Sequence, residues 1–284
     1  MTTGDERRRQ GRTLIGAVSA QGFAGQGPGA DCLQRPLRSR FRQQLRPGVR
    51  TLTEKDGSVI TGSLNLTLEP VTIQATGRTR VNLSVPHLLS ACLFSRQVRE
   101  LEEENRGREL GAFWEPILAH ATANVLLTVA ALESYVNELF SDHDTNFPGF
   151  RTDILVKLWA SYELKCIIDK FDLALLLREA GSLDRGISPT QDVALLIRLR
   201  NALTHFKPEW FDEQQEHAKL SARLAGRFSP SVFFQGEPIF PRGWATHGCT
   251  AWAVKSAIHF IGGFESQAGL PKRLEKFKSR FLYE

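Results

Sequence analysis

Leu199-Arg200-Asn201-Ala202-Leu203-Thr204-His205 places an arginine and a histidine five positions apart at the end of a strongly apolar stretch. The Arg200 guanidinium is a planar fork of donors that matches phosphate oxygens. The His205 imidazole exchanges a proton near neutral pH. Together they suit chemistry on a phosphodiester, with one group holding charge on phosphorus oxygens and the other moving a proton. On an ideal helix of about 100° per residue the two diverge by about 140°, with Asn201 and Thr204 in the gap. One chain thus lines a shallow cleft without aiming Arg200 and His205 at the same atom. A second copy across a two-fold axis brings two such sets together, so the spacing predicts a homodimer with a composite site. A plainer structural reading stands beside this one. A histidine in a last helical turn is favoured by the helix dipole alone, and an arginine at the edge of a core pairs with an acid such as Glu133.

The helix that positions these residues is predicted to start at Ser188-Pro189-Thr190-Gln191. Serine at the N-cap, proline at the first helical position and glutamine at the third make a capping box. Pro208 disfavours helix at Lys207, so the helix is predicted to run to about Phe206. Leu195, Leu196, Leu199, Ala202, Leu203 and Phe206 form one apolar arc. The opposite arc begins with Val193, Ala194 and Ile197 and turns polar at Arg198 and Arg200.

Around that helix the pattern is largely helical from Pro86 onward. Helices are predicted over residues 87–108 and 114–141. Trp114, Ile117, Leu118, Ala121, Val125, Val129, Leu132, Val136 and Leu139 keep the three/four spacing of a buried stripe in the second. Residues 152–180 read as two helices with a break near Asp169 to Asp172. Residues 213–225 read as an exposed helix, 228–247 as a loop, 249–266 as a final amphipathic helix and Lys272 to Phe281 as a short basic one. Before Pro86, Leu64, Leu66 and Leu68, then Val71, Ile73 and Ala75, then Val81, Leu83 and Val85 alternate with other residues. That predicts three short strands in a small antiparallel sheet over 51–85, packed on the helices. The expected fold class is mainly α with this β segment, and the helical domain spans 86–284.

Arg200-Asn201-Ala202-Leu203-Thr204-His205 resembles the Arg-x4–6-His motif of HEPN domains. The stretch Ala131-Leu132-Glu133-Ser134-Tyr135-Val136-Asn137-Glu138-Leu139-Phe140 resembles the early long helix of those antiparallel bundles. Ala251-Trp252-Ala253-Val254 resembles their closing helix. The resemblance covers roughly residues 88–266. It implies a metal-independent endoribonuclease leaving 2′,3′-cyclic phosphate ends, often the toxin of a toxin–antitoxin or phage-defence system. RNA is then the substrate, and an antitoxin protein is a partner. Arg200, His205 and Asn201 would be catalytic, with Thr204, Glu133 and Asn137 supporting them. The alternative within the same resemblance is a non-catalytic module that binds RNA or protein, because fold does not fix function.

Composition excludes some other classes. The chain has 284 residues and a net charge of +5. Residues 1–50 hold ten arginines and three acids, +7 in all, which leaves −2 for the rest. That Gly-, Gln- and Arg-rich tail reads as disordered. The four cysteines, Cys32, Cys92, Cys166 and Cys249, form no CxxC pair, and the histidines show no ligand spacing, so neither metal nor cofactor is expected. No uninterrupted apolar run reaches the ~18 residues of a membrane span. A cytoplasmic protein without membrane contact is expected.

Overall fold

The computed structural model describes residues 60–65, 74–210 and 215–283. The predicted tail over 1–50, the strands expected around Leu66 to Ile73, and the packing of residues 51–79 lie outside the described residues. Within them the backbone pairs β1 (Ile60–Asn65) with β2 (Gln74–Thr79) antiparallel, Gly62 opposite Gly77. A third strand through Val85 does not form. Helix α1 (Ser84–Glu104) begins there instead. Glu138 explains why: its carboxylate accepts the backbone N–H of Leu83 and of Ser84, both at 2.9 Å, and the Ser84 hydroxyl at 2.8 Å. An acid that satisfies the orphan amides at a helix start also complements the dipole there.

The described chain is mainly helical. After α1 come α2 (Trp114–Ser141), the single turn α3 (His143–Asn146), α4 (Thr152–Tyr162), α5 (Ile167–Leu177), α6 (Thr190–Thr204), α7 (Glu216–Leu224) and α8 (His247–Gln267). Short helical turns follow α7 at Val232–Phe234 and Ile239–Gly243, and another, Leu274–Arg280, follows α8. Side-chain links fix the directions. Asn124 donates to the Ala91 carbonyl (2.7 Å) and Glu138 holds Ser84, so α1 and α2 run antiparallel. Ser95 meets Thr250 (2.9 Å) and Glu102 accepts the N–H of His247 (3.0 Å), so α1 and α8 run antiparallel too.

Helix α2 is the centre, packing against α1, α5, α6 and α8. Its stripe of Ile117, Ala121, Val125, Val129, Leu132, Val136 and Leu139 is buried, as the spacing predicted. Trp114 and Leu118, at the start of that stripe, are half-buried and exposed. By length and hydropathy α2 could also cross a membrane, although no uninterrupted apolar run announces it. Its buried face is the core of the bundle. Around Tyr135 the rings of Phe171, Phe260 and Phe264 meet face to edge, Phe171 lying 4.9 Å from Phe260 and 4.8 Å from Phe264.

Two boundaries differ from expectation. The break in 152–180 falls at Glu163–Cys166, between α4 and α5, and not at Asp169 to Asp172. Those two aspartates sit one turn apart on α5 and both hold Arg185, so they mark a polar helix face. The region 228–247 forms helical turns and contains no strand among its residues.

Candidate functional site

Helix α6 lays Val193, Leu195, Leu196 and Leu199 into the core and turns its other side outward. The capping box does not form. The Ser188 hydroxyl donates to the Asp192 carboxylate, and the Gln191 amide donates to the Gly186 carbonyl (2.6 Å), so neither side chain reaches a free helix N–H. A carboxylate in the first turn is the stronger acceptor for a nearby hydroxyl. The helix ends at Thr204. His205 is its C-cap, its N–H still bonded to the Asn201 carbonyl at 2.9 Å. Phe206, expected in the apolar arc, lies past the end and is 48% exposed.

Arg200 is half-buried at the edge of the core, and its Nε is enclosed with no hydrogen-bond partner. An enclosed, unmet donor of this kind costs about 1–3 kcal/mol. Asn201, Thr204 and His205 are exposed. The Thr204 hydroxyl donates back to the Arg200 carbonyl at 2.8 Å, which occupies its proton within the helix. The His205 ring makes no hydrogen bond or ion pair among the described residues.

A groove of about 360 Å³ opens at His205. Its wall from α6 is Arg198 and Ala202, not Arg200. Arg198 precedes His205 by seven positions, two turns of helix, and so shares its side. Lys207, Lys219 and Arg223 add three cations, against the acids Glu209 and Glu216. Lys219 is paired with Glu216 at 2.6 Å, which holds its ammonium above the ordinary lysine range. Arg198, Lys207 and Arg223 have no such partner among the described residues.

His217, buried, fastens this end of the molecule. Its Nε2–H donates to the Lys207 carbonyl (3.0 Å), and its backbone N–H donates to Glu209 (3.3 Å). Its ring stacks on Phe206 at 5.4 Å. The segment after His205 is thereby tied to α7. Trp210 on that segment is 79% exposed.

The two supporting candidates on α2 part company. Glu133 is paired with Lys170, whose side chain is only 2% exposed, so it has a structural partner other than Arg200. Asn137, one turn on, keeps its side-chain oxygen buried and unpartnered. Arg198, on the polar arc of the helix, is not among the residues that the resemblance marks. The signal that finds it is the seven-residue interval to His205.

The thiols of Cys92 and Cys249 are buried and unreactive by environment. Burial pushes Cys92 up to about 11 and raises Cys249 further. Cys166 is exposed, and Cys32 lies outside the described residues. Among the described residues no group of three or more His, Cys, Asp or Glu side chains is placed to hold a metal ion. Comparison with protein families, with characterised proteins and with solved structures finds no match.

Proposed function

We propose that this chain is an endoribonuclease of the HEPN type, built as an antiparallel helical bundle. The observation that carries the reading is the end of α6. There, among the described residues, an unmet Arg200 donor and a partnerless His205 ring accompany a groove whose four cations outnumber its two acids. Unpaired cations favour a polyanion, and an exposed Trp210 suits a strand with unstacked bases.

The reaction is the attack of the RNA 2′-hydroxyl on the adjacent phosphorus. The new 2′-O–P bond forms, the P–O5′ bond breaks, and the products are a 2′,3′-cyclic phosphate and a 5′-hydroxyl. His205 takes the 2′-hydroxyl proton, and His205 of the partner subunit, as imidazolium, gives one to the leaving 5′-oxygen. Arg200 stabilises charge on the non-bridging oxygens through its fork. Asn201 orients the phosphate. The reaction needs no metal ion. An antitoxin protein that covers the α6 end would silence the enzyme.

A second reading is favoured by one fact, that His205 shares its groove with Arg198 and not with Arg200. In that reading the bundle binds RNA at the groove without cutting it. The test is a cleavage assay on labelled RNA in excess EDTA, with a mass measurement at micromolar concentration. Cleavage by a dimer, lost in both Arg200→Ala and His205→Ala, supports the nuclease. Binding without cleavage supports the second reading. Cleavage that requires magnesium, or that persists in His205→Ala, overturns the mechanism.

A further inference from the structure

A second cavity, also about 360 Å³, lies at the opposite end of α6. One wall is a stripe of α8 carrying Trp252, Lys255, Ser256 and His259, residues at helical three/four spacing. The facing wall is Ser188, Pro189 and Asp192 at the start of α6, with Arg227 from beyond α7. Asp192 is neutralised inside the chain, accepting from Arg227 at 2.8 Å and from Ser188. Lys255 and His259 have no partner among the described residues. The Trp252 indole N–H is shut away from solvent with no acceptor. Its ring rests on Phe228 at 5.6 Å. The cavity therefore combines an aromatic wall with an ammonium and an imidazole that are unpaired among the described residues.

The two cavities both adjoin α6. Asp192 of one and Arg198 of the other are six residues apart on α6, a rise of about 9 Å. Arg227 of one and Arg223 of the other are four residues apart at the end of α7. Along α6 that rise is one that a few nucleotides of an extended strand span.

We infer that the Trp252 cavity is a nucleotide subsite that holds one unit of the same RNA strand on which His205 acts. The base lies against the Trp252 ring, and the flanking phosphate lies on Lys255 and His259. The inference rests on the RNA reading above and makes the substrate single-stranded, because a paired base cannot enter.

Fluorescence anisotropy with uncleavable 2′-O-methyl RNA tests it. A decanucleotide, which reaches both cavities, binds about tenfold more tightly than a trinucleotide. The double change Lys255→Ala, His259→Ala removes that gain. Lys157→Ala, which deletes an equally exposed cation from α4, leaves it intact. Trp252→Ala removes the ring and weakens the decanucleotide by about tenfold. A length gain that survives the double change, or falls equally with Lys157→Ala, overturns the subsite. So does a free nucleoside monophosphate that binds as tightly as the decanucleotide. Cleavage does not enter the readout. A length gain with no nuclease activity defeats only the mechanism above, and cleavage without the gain defeats only the subsite.

Discussion

The charges buried at the centre of the bundle and the charges at the C-terminal end of α6 are treated in opposite ways. Glu138 is saturated by three donors from the start of α1. Glu265, 1% exposed, accepts the Tyr135 hydroxyl and the Arg273 N–H, both at 2.9 Å. Lys170 is held by Glu133. At the end of α6, the side chains of Arg198, His205, Lys207 and Arg223 stand without partners among the described residues, and Arg200 keeps an enclosed donor unmet. A buried polar group that is fully partnered holds helices in place. One that is left unmet has a cost that packing alone does not justify, and a ligand that completes it removes that cost. The contrast separates residues that hold the bundle from residues that the proposed function assigns to a ligand.

The largest effect that sharpens the contrast is on turnover. His205→Ala lowers RNA cleavage by about 10²–10⁴-fold, the range of a general acid or base. The exposed ring makes no hydrogen bond, ion pair or ring contact among the described residues, so thermal melting stays at the wild-type temperature. A variant that melts early and loses activity in proportion would move His205 to the structural side.

Glu133→Ala reverses that pattern. It strands the Lys170 ammonium in a site 2% open to solvent. The expected loss is about 3 kcal/mol, the low end for breaking a buried pair because Glu133 itself is partly exposed. Urea denaturation measures it. The cleavage rate of the folded fraction stays near wild type. Should Glu133→Ala instead keep its stability and lose turnover, Glu133 belongs with Arg200 and not with Lys170.

The two variants also mark what the amino-acid order could convey. The stripe of α2 and the apolar arc of α6 were legible because burial repeats every three or four residues there. Asp169 and Asp172 misled because two acids in a row of apolar residues resemble a turn, while in the fold they share Arg185 across a loop. Ser188 misled because the local pattern cannot say that Asp192 competes for its hydroxyl. The polar end of α6 was legible as a list of residue types. Its division into an Arg200 side and an Arg198–His205 side depends on where α7 and Lys207 return, a long-range matter that spacing along one helix does not contain.

A smaller effect concerns binding alone. Trp210, exposed beyond His205, is available to stack on a base. Trp210→Ala weakens single-stranded RNA by about 1–3 kcal/mol, read by anisotropy at fixed salt, and leaves a matched duplex unchanged. Equal weakening of strand and duplex assigns the binding to the cations alone.

The smallest effect comes from the partnered side and is visible only in pH. Burial raises the Glu265 carboxyl above its ordinary range, against the lowering pull of the Tyr135 hydroxyl and of Arg273. A group raised in the folded state binds its proton more tightly there than in the unfolded chain. Its contribution to stability is complete below the unfolded carboxylate value of 4.5 and is lost as pH rises through the folded value. Glu265→Gln keeps an acceptor for Tyr135 and removes the titration. The stability of the variant relative to wild type therefore improves as pH climbs from the acid range toward neutrality, in melts taken across that window. A relative stability that falls with rising pH would mean that the folded state favours the charged carboxylate. In that case the Arg273 contact outweighs burial, and the centre of the bundle draws net stabilisation from its charges.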